Sequence, residues 1–175
     1  YNTVASALSE VTDLTTYAFD TKNISIGAGI YAVYAGQMIR QEMDFDQLLK
    51  ELEQSRTQSK IYYYMDTLDY LIAGGRIGRV AGKIGGVLRL KPIISCNEDG
   101  VYYPVGVVKS KQRGLQKLVQ LAAGFADGAA CSLALMHGDA PQTADAVVPM
   151  LQEALPGAPL VAQGQIAASL AVHTG

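Results

Sequence analysis

The stretch Thr67–Ser95, TLDYLIAGGRIGRVAGKIGGVLRLKPIIS, decides how the rest of the chain is arranged. It contains six glycines and five basic residues, and Asp69 is its one acidic residue. Glycine adopts positive φ more readily than any other residue, so the pair Gly74–Gly75 predicts the end of a short apolar helix that begins near Thr67. Apolar residues at helical spacing predict a second helix from Arg79 to Leu88. The stretch is therefore expected to form a glycine-rich helical hairpin with a basic, solvated edge.

Two nucleotide-binding motifs fail in this stretch. A phosphate-binding P-loop needs the pattern G-x-x-x-x-G-K-[ST]. Here Gly78 and Gly82 are one residue too close, and Ile84 follows the lysine. A dinucleotide-binding fingerprint must directly follow a strand, whereas the residues before Gly74 are predicted to be helical. The glycines therefore do not indicate a nucleotide site.

Four segments of the sequence resemble the DegV family, in the order in which that family has them. The stretch from Leu68 to Ser95 and the turn Asn97–Gly100 that comes after it resemble the family's central motif. Three further segments agree with the same family: DTKNISIGAG (Asp20–Gly29), VVKSKQRGLQKL (Val107–Leu118) and AVHTG (Ala171–Gly175). Each match is weak alone, but together they are specific and span nearly the whole chain.

The resemblance implies a fold and a function. DegV-like proteins are two-domain α/β proteins that bind one fatty acid between their domains and present its carboxylate to a separate kinase. We therefore expect an α/β fold, a mixed β-sheet with flanking helices, and a substantial N-terminal part preceding Tyr1. The polar segment Gln54–Ser59 suggests a boundary, so that residues 1–58 end the first domain and residues 59–175 form the second. The expected partners are a long-chain fatty acid and a fatty-acid kinase in the cytoplasm, with no cofactor and no catalysis by this chain.

The same resemblance points to the residues that bind the ligand. His173 matches the histidine of the family that lies near the carboxyl head of the fatty acid, and Thr174 comes directly after it. The segment that begins at Asp20 supplies the other expected positions, which are Ser25, Ile26, Gly27 and Gly29. The helix predicted from Ser25 to Arg40 is apolar on most sides, so it is expected to be deeply buried. The resemblance implies that it also lines a tunnel that holds the fatty acid.

Four basic residues are candidates for docking the kinase: Arg76, Arg79, Lys83 and Lys109. Arg76 is carried over from the family pattern, and Arg79 and Lys83 lie one helical turn apart beside an apolar face. The family usually has arginine at the position of Lys109. Lysine keeps the charge but lacks the planar guanidinium fork, so an anion clamp at this position is expected to be weaker.

The remaining elements are predicted from local patterns. Asp44 and Gln47 form a capping-box-like pair before an amphipathic helix, and Asn97–Gly100 has the chemistry of a hairpin turn. Further helices are predicted at Thr3–Thr12, Arg113–Phe125 and Thr143–Leu155, the last kinked or divided at Pro149. Strands are predicted at Thr16–Phe19, Ile61–Met65, Leu90–Ser95 (with Pro92 at an edge or first position), Val101–Lys109, Ala130–Met136, Leu160–Val161 and Ser169–His173.

The charges are unevenly distributed along the chain. Residues 60–117 carry ten basic and four acidic groups, a local charge of +6, although the net charge of the chain is only -2. Such asymmetry can mark a docking surface, so an alternative function is an anion- or nucleic-acid-binding module built on residues 60–117. The small net charge itself does not predict a nucleic-acid partner. A third alternative is an enzyme whose nucleophile lies in a part that precedes this chain.

The cysteines and histidines do not indicate a catalytic or metal site. Cys96 and Cys131 are the only cysteines, and with no secretory sequence they favour a reducing compartment. No C-x-x-C pair, no G-x-S-x-G elbow and no apolar run of about 20 residues occurs. His137, in His-Gly-Asp, is interpreted as a turn residue. The residues therefore favour binding of an apolar ligand over catalysis.

Overall fold

The computed structural model describes residues 1–77, residue 80 and residues 90–175. Its helices are α1 (Asn2–Leu8), α2 (Ile26–Arg40), α3 (Phe45–Ser55), α4 (Asp69–Ala73), α5 (Lys111–Ala126), α6 (Pro141–Ala154) and α7 (Ala168–Thr174), with a short 3₁₀ helix (Arg56–Gln58) after α3. Its strands are β1 (Tyr62–Tyr64), β2 (Lys91–Cys96), β3 (Tyr102–Val108), β4 (Leu133–His137) and β5 (Leu160–Gln165). This is the predicted α/β architecture with flanking helices. Among the helices of these residues, none is both long and apolar enough to cross a membrane.

The first three strands form an antiparallel sheet with β2 in the centre. Ile93, Ile94 and Ser95 of β2 are completely buried, and the Ser95 hydroxyl donates to the carbonyl of Ile61 at 2.7 Å. Pro92 is therefore the second residue of a central strand, so it occupies neither the predicted edge nor the predicted first position. The Met65 N–H donates to the Pro92 carbonyl at 3.1 Å, but Pro92 has no N–H group and cannot donate a hydrogen bond to the neighbouring strand. The pairing between β1 and β2 ends at this point.

The turn between β2 and β3 is closed by a side chain. Oδ1 of Asn97 accepts the backbone N–H groups of Asp99 at 3.1 Å and Val101 at 2.8 Å. Gly100 has φ 77°, a conformation in which glycine is favoured. The hairpin turn predicted at Asn97–Gly100 is confirmed.

The last two strands form a separate parallel pair, β4 and β5, connected through α6. Val119 of α5 and Val147 and Leu151 of α6 form a buried cluster, against which β4 residues pack. The described strands thus form an antiparallel sheet and a parallel pair. Helix α6 continues through Pro149, so the proline does not divide it.

The N-terminal helices form their own cluster. Its buried members are Tyr31, Met38, Leu48 and Leu52. Oδ1 of Asp44 accepts the Gln47 N–H at 3.1 Å, which confirms the predicted start of α3. The prediction that α2 is buried on most sides is wrong, because Val33 and Ile39 are 51% and 61% exposed. The described residues cover only one face of α2.

Two predicted strands are wrong. Thr16–Phe19 is irregular, since no described strand pairs with it. Ser169–His173 lies within α7, where the Ala171 N–H donates to the Ala167 carbonyl at 3.1 Å. A short apolar segment fits either element, and its hydrogen-bond partners decide between them.

The central stretch is described only in part. The predicted second helix, Arg79–Leu88, lies outside the described residues except for Val80, which is helical and completely buried. The 3₁₀ helix ends at Gln58, where the domain boundary is predicted, and that boundary stays a prediction.

Candidate functional site

The glycine pair ends α4 as predicted. Gly75 has φ 67°, its N–H donates to the Ile72 carbonyl at 3.0 Å, and the Arg76 N–H donates to the Leu71 carbonyl at 2.8 Å. This pair of bonds is a Schellman motif, which satisfies two carbonyls that the helix end leaves free. The motif turns the chain so that Arg76 leaves the end of α4 on the surface.

His173 packs against this helix end. It lies in the last turn of α7, and its Nδ1 atom is so close to Gly74 that a methyl group on Gly74 would overlap it. Nδ1 is inaccessible to solvent, and it has no hydrogen-bond partner among the described residues. A buried polar atom without a partner is rare in folded proteins and requires an explanation.

The side chain of Arg76 contacts the same glycine. Its Nη1 atom donates to the carbonyl of Gly74, so His173 and Arg76 both adjoin one residue. The hydroxyl of Thr174 donates to the Leu170 carbonyl at 3.1 Å within α7, which is a helical contact. The structure thus brings together the predicted head-group residue and one predicted docking residue.

The segment before α2 contains the second group of predicted ligand residues. Ser25 has φ 56° and ψ -140°, a region that costs a residue with a side chain about 1–3 kcal/mol. It occupies the N-cap position of α2, but its hydroxyl makes no cap hydrogen bond. Gly27 is buried, and a Cβ atom there would lie 2.5 Å from Oδ1 of Asn23. A Cβ on Gly29 would make only an ordinary 3.7 Å contact with the partly buried Ile26.

A residue that the sequence did not single out adjoins Ser25. The hydroxyl oxygen of Tyr63 is inaccessible to solvent and has no hydrogen-bond partner among the described residues. Burial raises the pKa of Tyr63, and the neighbouring Ser25 hydroxyl lowers it without reaching hydrogen-bond geometry. The edge of Tyr102 packs against the Tyr63 ring, with 6.3 Å between ring centroids. Alternation along a strand would place the middle ring of Tyr62–Tyr64 on the face opposite to its neighbours, but it does not show what that ring contacts.

The two groups of candidate residues are linked through one apolar cluster. Tyr63 packs against the cluster, and Leu71 of α4 is one of its buried members. Among the described residues, no hydrogen bond or ion pair joins Ser25 to His173. Ser25 and His173 therefore lie at different positions around the same apolar cluster.

Three other basic residues of the segment 60–117 make contacts within the chain. Nζ of Lys60 donates to the Cys96 carbonyl at 2.9 Å, Nζ of Lys91 pairs with Asp66 at 2.6 Å, and Nζ of Lys111 donates to Thr143 at 2.7 Å. Lys109 is exposed just after β3, whereas the predicted docking residues Arg79 and Lys83 lie outside the described residues. The alternative of an open basic surface on residues 60–117 stays a prediction.

Two clefts of the described residues lie away from these candidates. One, of about 660 Å³, runs between α5 and α6 beside Leu115 and Met150. Another, of about 290 Å³, lies beside Lys60 and Tyr103. In the part of the chain that the structure describes, no cluster of three or more His, Cys, Asp or Glu residues could hold a metal ion.

Sequence comparisons relate the whole chain to one family. The model of the family described as "Uncharacterised protein, DegV family" matches residues 1–175. A DegV domain-containing protein of Clostridium acetobutylicum is 34% identical over 100% of this chain and 62% of its own length. A DegV domain-containing protein of Clostridium perfringens is 30% identical, again over 100% of this chain and 62% of its own length. The chain thus spans about three fifths of the length of these relatives.

Solved structures show the same fold. A stearic acid-binding protein of Eubacterium ventriosum superposes with a TM-score of 0.86 at 22% identity, covering 99% of this chain and 60% of that protein. DegV of Bacillus subtilis, described as a fatty acid binding protein, has a TM-score of 0.85 at 22% identity and covers 99% and 62%. A DegV family protein of Thermus thermophilus, described by its fatty acid binding, has a TM-score of 0.82 at 27% identity and also covers 99% and 62%.

Proposed function

Because this chain belongs to the DegV family, we propose that it forms part of a fatty-acid-binding protein in which His173 binds the carboxylate head group. The fatty-acid-binding descriptions of three proteins that share its fold support the ligand class. A long acyl chain gains about 0.8 kcal/mol for each methylene that it buries, so a few polar contacts suffice to fix its head group.

The observation that carries the role of His173 is its buried, unpartnered Nδ1 atom. A neutral imidazole holds one proton, on either nitrogen. A proton on Nδ1 would have no acceptor among the described residues, so the neutral ring keeps its proton on Nε2. An Nε2–H group is a hydrogen-bond donor, and it can donate to a carboxylate oxygen, which is an acceptor.

The finer part of the proposal concerns the fate of the bound fatty acid. The chain would present the bound carboxylate to a separate fatty-acid kinase in the cytoplasm, and Arg76, with Lys109, Arg79 and Lys83, would dock that kinase. Arg76 is exposed and adjoins the same glycine as His173, so a kinase that contacts Arg76 would lie near the head group. The positive charge would steer an acidic partner toward the carboxylate.

The ligand itself is tested by extraction. Full-length protein purified from a bacterial host should carry about one long-chain fatty acid per molecule in native mass spectrometry, and delipidated protein should rebind oleate. Protein that carries no fatty acid and fails to bind added oleate would overturn the proposal.

The docking role is tested by charge reversal. Arg76→Glu should leave fatty-acid content intact and slow acyl phosphorylation at sub-saturating protein, because an attractive charge becomes repulsive. Lys50→Glu reverses an equally exposed charge on α3 and should have little effect. A wild-type rate for Arg76→Glu, with unchanged salt dependence, would exclude docking at this residue.

A further inference from the structure

We propose that Gly138 and Tyr70 are positioning residues for His173: together they hold the end of α7 and thereby place the imidazole for the fatty-acid carboxylate. The inference rests on the proposed function, because it assigns two further residues to the head-group site. It is motivated by close contacts at the end of α7 that leave no room for an additional methyl group.

The loop that follows β4 contacts the chain on both sides of α7. Before the helix, the Ile166 N–H donates to the carbonyl of His137 at 2.9 Å. After the helix, the carbonyl oxygen of Gly175 lies against Gly138, where a Cβ atom would stand only 2.7 Å from it. A helix of seven residues is too short to be stable in water by itself, so its position depends on such flanking contacts.

Helix α4 contacts the same end of α7. A Cβ atom on Gly175 would lie 2.8 Å from the ring of Tyr70, so this ring packs closely on the glycine. The carbonyl of Tyr70 accepts the Gly74 N–H at 2.9 Å, so Tyr70 belongs to the helix end against which His173 packs. Gly175 is thus in contact with the β4–α6 loop and with α4.

These contacts act on the helical turn that carries His173. The Gly175 N–H donates to the Ala171 carbonyl at 2.8 Å, and His173 lies between these two residues in the sequence. A shift of Gly175 would therefore move the last turn of α7 and, with it, the imidazole. A hydrogen bond weakens steeply when its angle is poor, so the bond from Nε2–H to a carboxylate depends on this turn staying in place.

The first test adds a methyl group to Gly138 in the full-length protein. Gly138→Ala places a Cβ atom against the Gly175 carbonyl, so oleate affinity should fall by about 3- to 30-fold, a partial loss of one hydrogen bond to a charged group. The matched control is Gly164→Ala on β5, where a Cβ atom would make an ordinary 3.6 Å contact with Met136. This control should bind oleate like the wild type.

The second test removes the ring that packs on Gly175. Tyr70 is 48% exposed, so Tyr70→Ala leaves the core intact and decides the question even if Gly138→Ala does not fold. It should weaken oleate binding by about 2- to 10-fold, and Tyr70→Phe, which keeps the ring, should restore the affinity. In a His173→Ala background, neither Gly138→Ala nor Tyr70→Ala should have a further effect, because both act through the imidazole.

A spectroscopic readout separates positioning from structural support. In NMR spectra, the resonance of a carbon-13 label in the carboxyl group of bound oleate reports the hydrogen bonds of the head group. At saturating oleate, Gly138→Ala and Tyr70→Ala should move this resonance toward its position in His173→Ala. Gly164→Ala should leave it where the wild type has it.

The outcomes distinguish this inference from the proposed function. Wild-type affinity in Tyr70→Ala or in folded Gly138→Ala, or equal losses with and without His173, would overturn the inference alone, provided that His173→Ala itself weakens binding. Wild-type protein that binds no oleate, or that binds it equally well with His173→Ala, would overturn both.

Discussion

Two glycines of this protein lie beneath an aromatic ring, and the two rings differ in what their polar atoms do. Gly114, buried in α5, packs under the ring of Tyr64, and Gly74, at the end of α4, packs under the ring of His173. At both positions a methyl group would overlap the ring. Both rings pack on a glycine in the same way, so any difference between the roles of Tyr64 and His173 must come from their hydrogen bonds.

The ring above Gly114 has a complete set of partners. The Tyr64 hydroxyl donates to Oδ1 of Asp66 at 2.8 Å, and Nζ of Lys91 donates to the same oxygen at 2.6 Å. The ring above Gly74 has a buried Nδ1 without a partner among the described residues. The satisfied network is explained by stability alone, whereas the unpartnered Nδ1 of His173 leaves the Nε2–H group as the donor that we propose for the ligand carboxylate.

The largest expected effect on stability is at Gly114. Gly114→Ala forces a methyl group into a ring that Asp66 holds in place, so it should lower the unfolding free energy by about 1–3 kcal/mol in urea titrations. Gly124→Ala, on the same helix with open space around it, should raise the unfolding free energy by about 0.5–1 kcal/mol. Equal effects of the two substitutions would show that Tyr64 does not constrain Gly114.

The next effect, at Gly74, should appear in binding more than in stability. Gly74→Ala must displace the imidazole of His173, so the full-length protein should lose oleate affinity about 10-fold or more. Gly75→Ala is the matched control, because its neighbourhood is open and only its φ of 67° is strained. It should cost about 1 kcal/mol of stability and leave affinity nearly unchanged. Intact binding by Gly74→Ala would separate His173 from the ligand site.

The smallest effect concerns the pH dependence of the Tyr64 network. The Lys91 ammonium lowers the pKa of Asp66, against the opposing effect of partial burial. A carboxylate with a lowered folded-state pKa stabilises the protein above its unfolded pKa near 4, and this stabilisation is lost as the pH falls through the folded value. The Asp66 side chain is 59% exposed, so the contribution should stay below about 1 kcal/mol.

Asp66→Asn should therefore reduce the loss of unfolding free energy between about pH 5 and pH 3. Combining it with Lys91→Met should add no further change, because the two residues form one pair. An unaltered pH profile in Asp66→Asn would show that the ion pair does not form in solution.

Local chemistry determined which parts of the fold could be predicted from the sequence. The end of α4 at Gly74–Gly75, the start of α3 at Asp44 and the turn at Asn97–Gly100 each depend on residues within four positions of one another. These predictions are confirmed. Ser169–His173 was mistaken for a strand because a short apolar segment has no periodicity that separates the two elements.

The candidate site, like the fold, could be predicted from the sequence only in part. The resemblance to the DegV family pointed to His173, Ser25 and Arg76, but the contact that joins His173 and Arg76 through Gly74 is a product of packing between α4 and α7. Tyr63 was missed because the sequence does not show what surrounds the hydroxyl of a tyrosine in a strand. Such relations depend on tertiary contacts that a single sequence does not encode locally.

The two histidines provide the most direct test of the central claim. Nδ1 of His137 accepts the Ala140 N–H at 3.3 Å, so this imidazole already has a structural partner, whereas Nδ1 of His173 has none among the described residues. The measurement is the oleate affinity of the full-length protein with His173→Ala and, as control, with His137→Ala. The account predicts a loss of about 10- to 100-fold for His173→Ala, the range of one hydrogen bond to a charged group, and little change for His137→Ala. Equal affinities of the two variants and the wild type would contradict it.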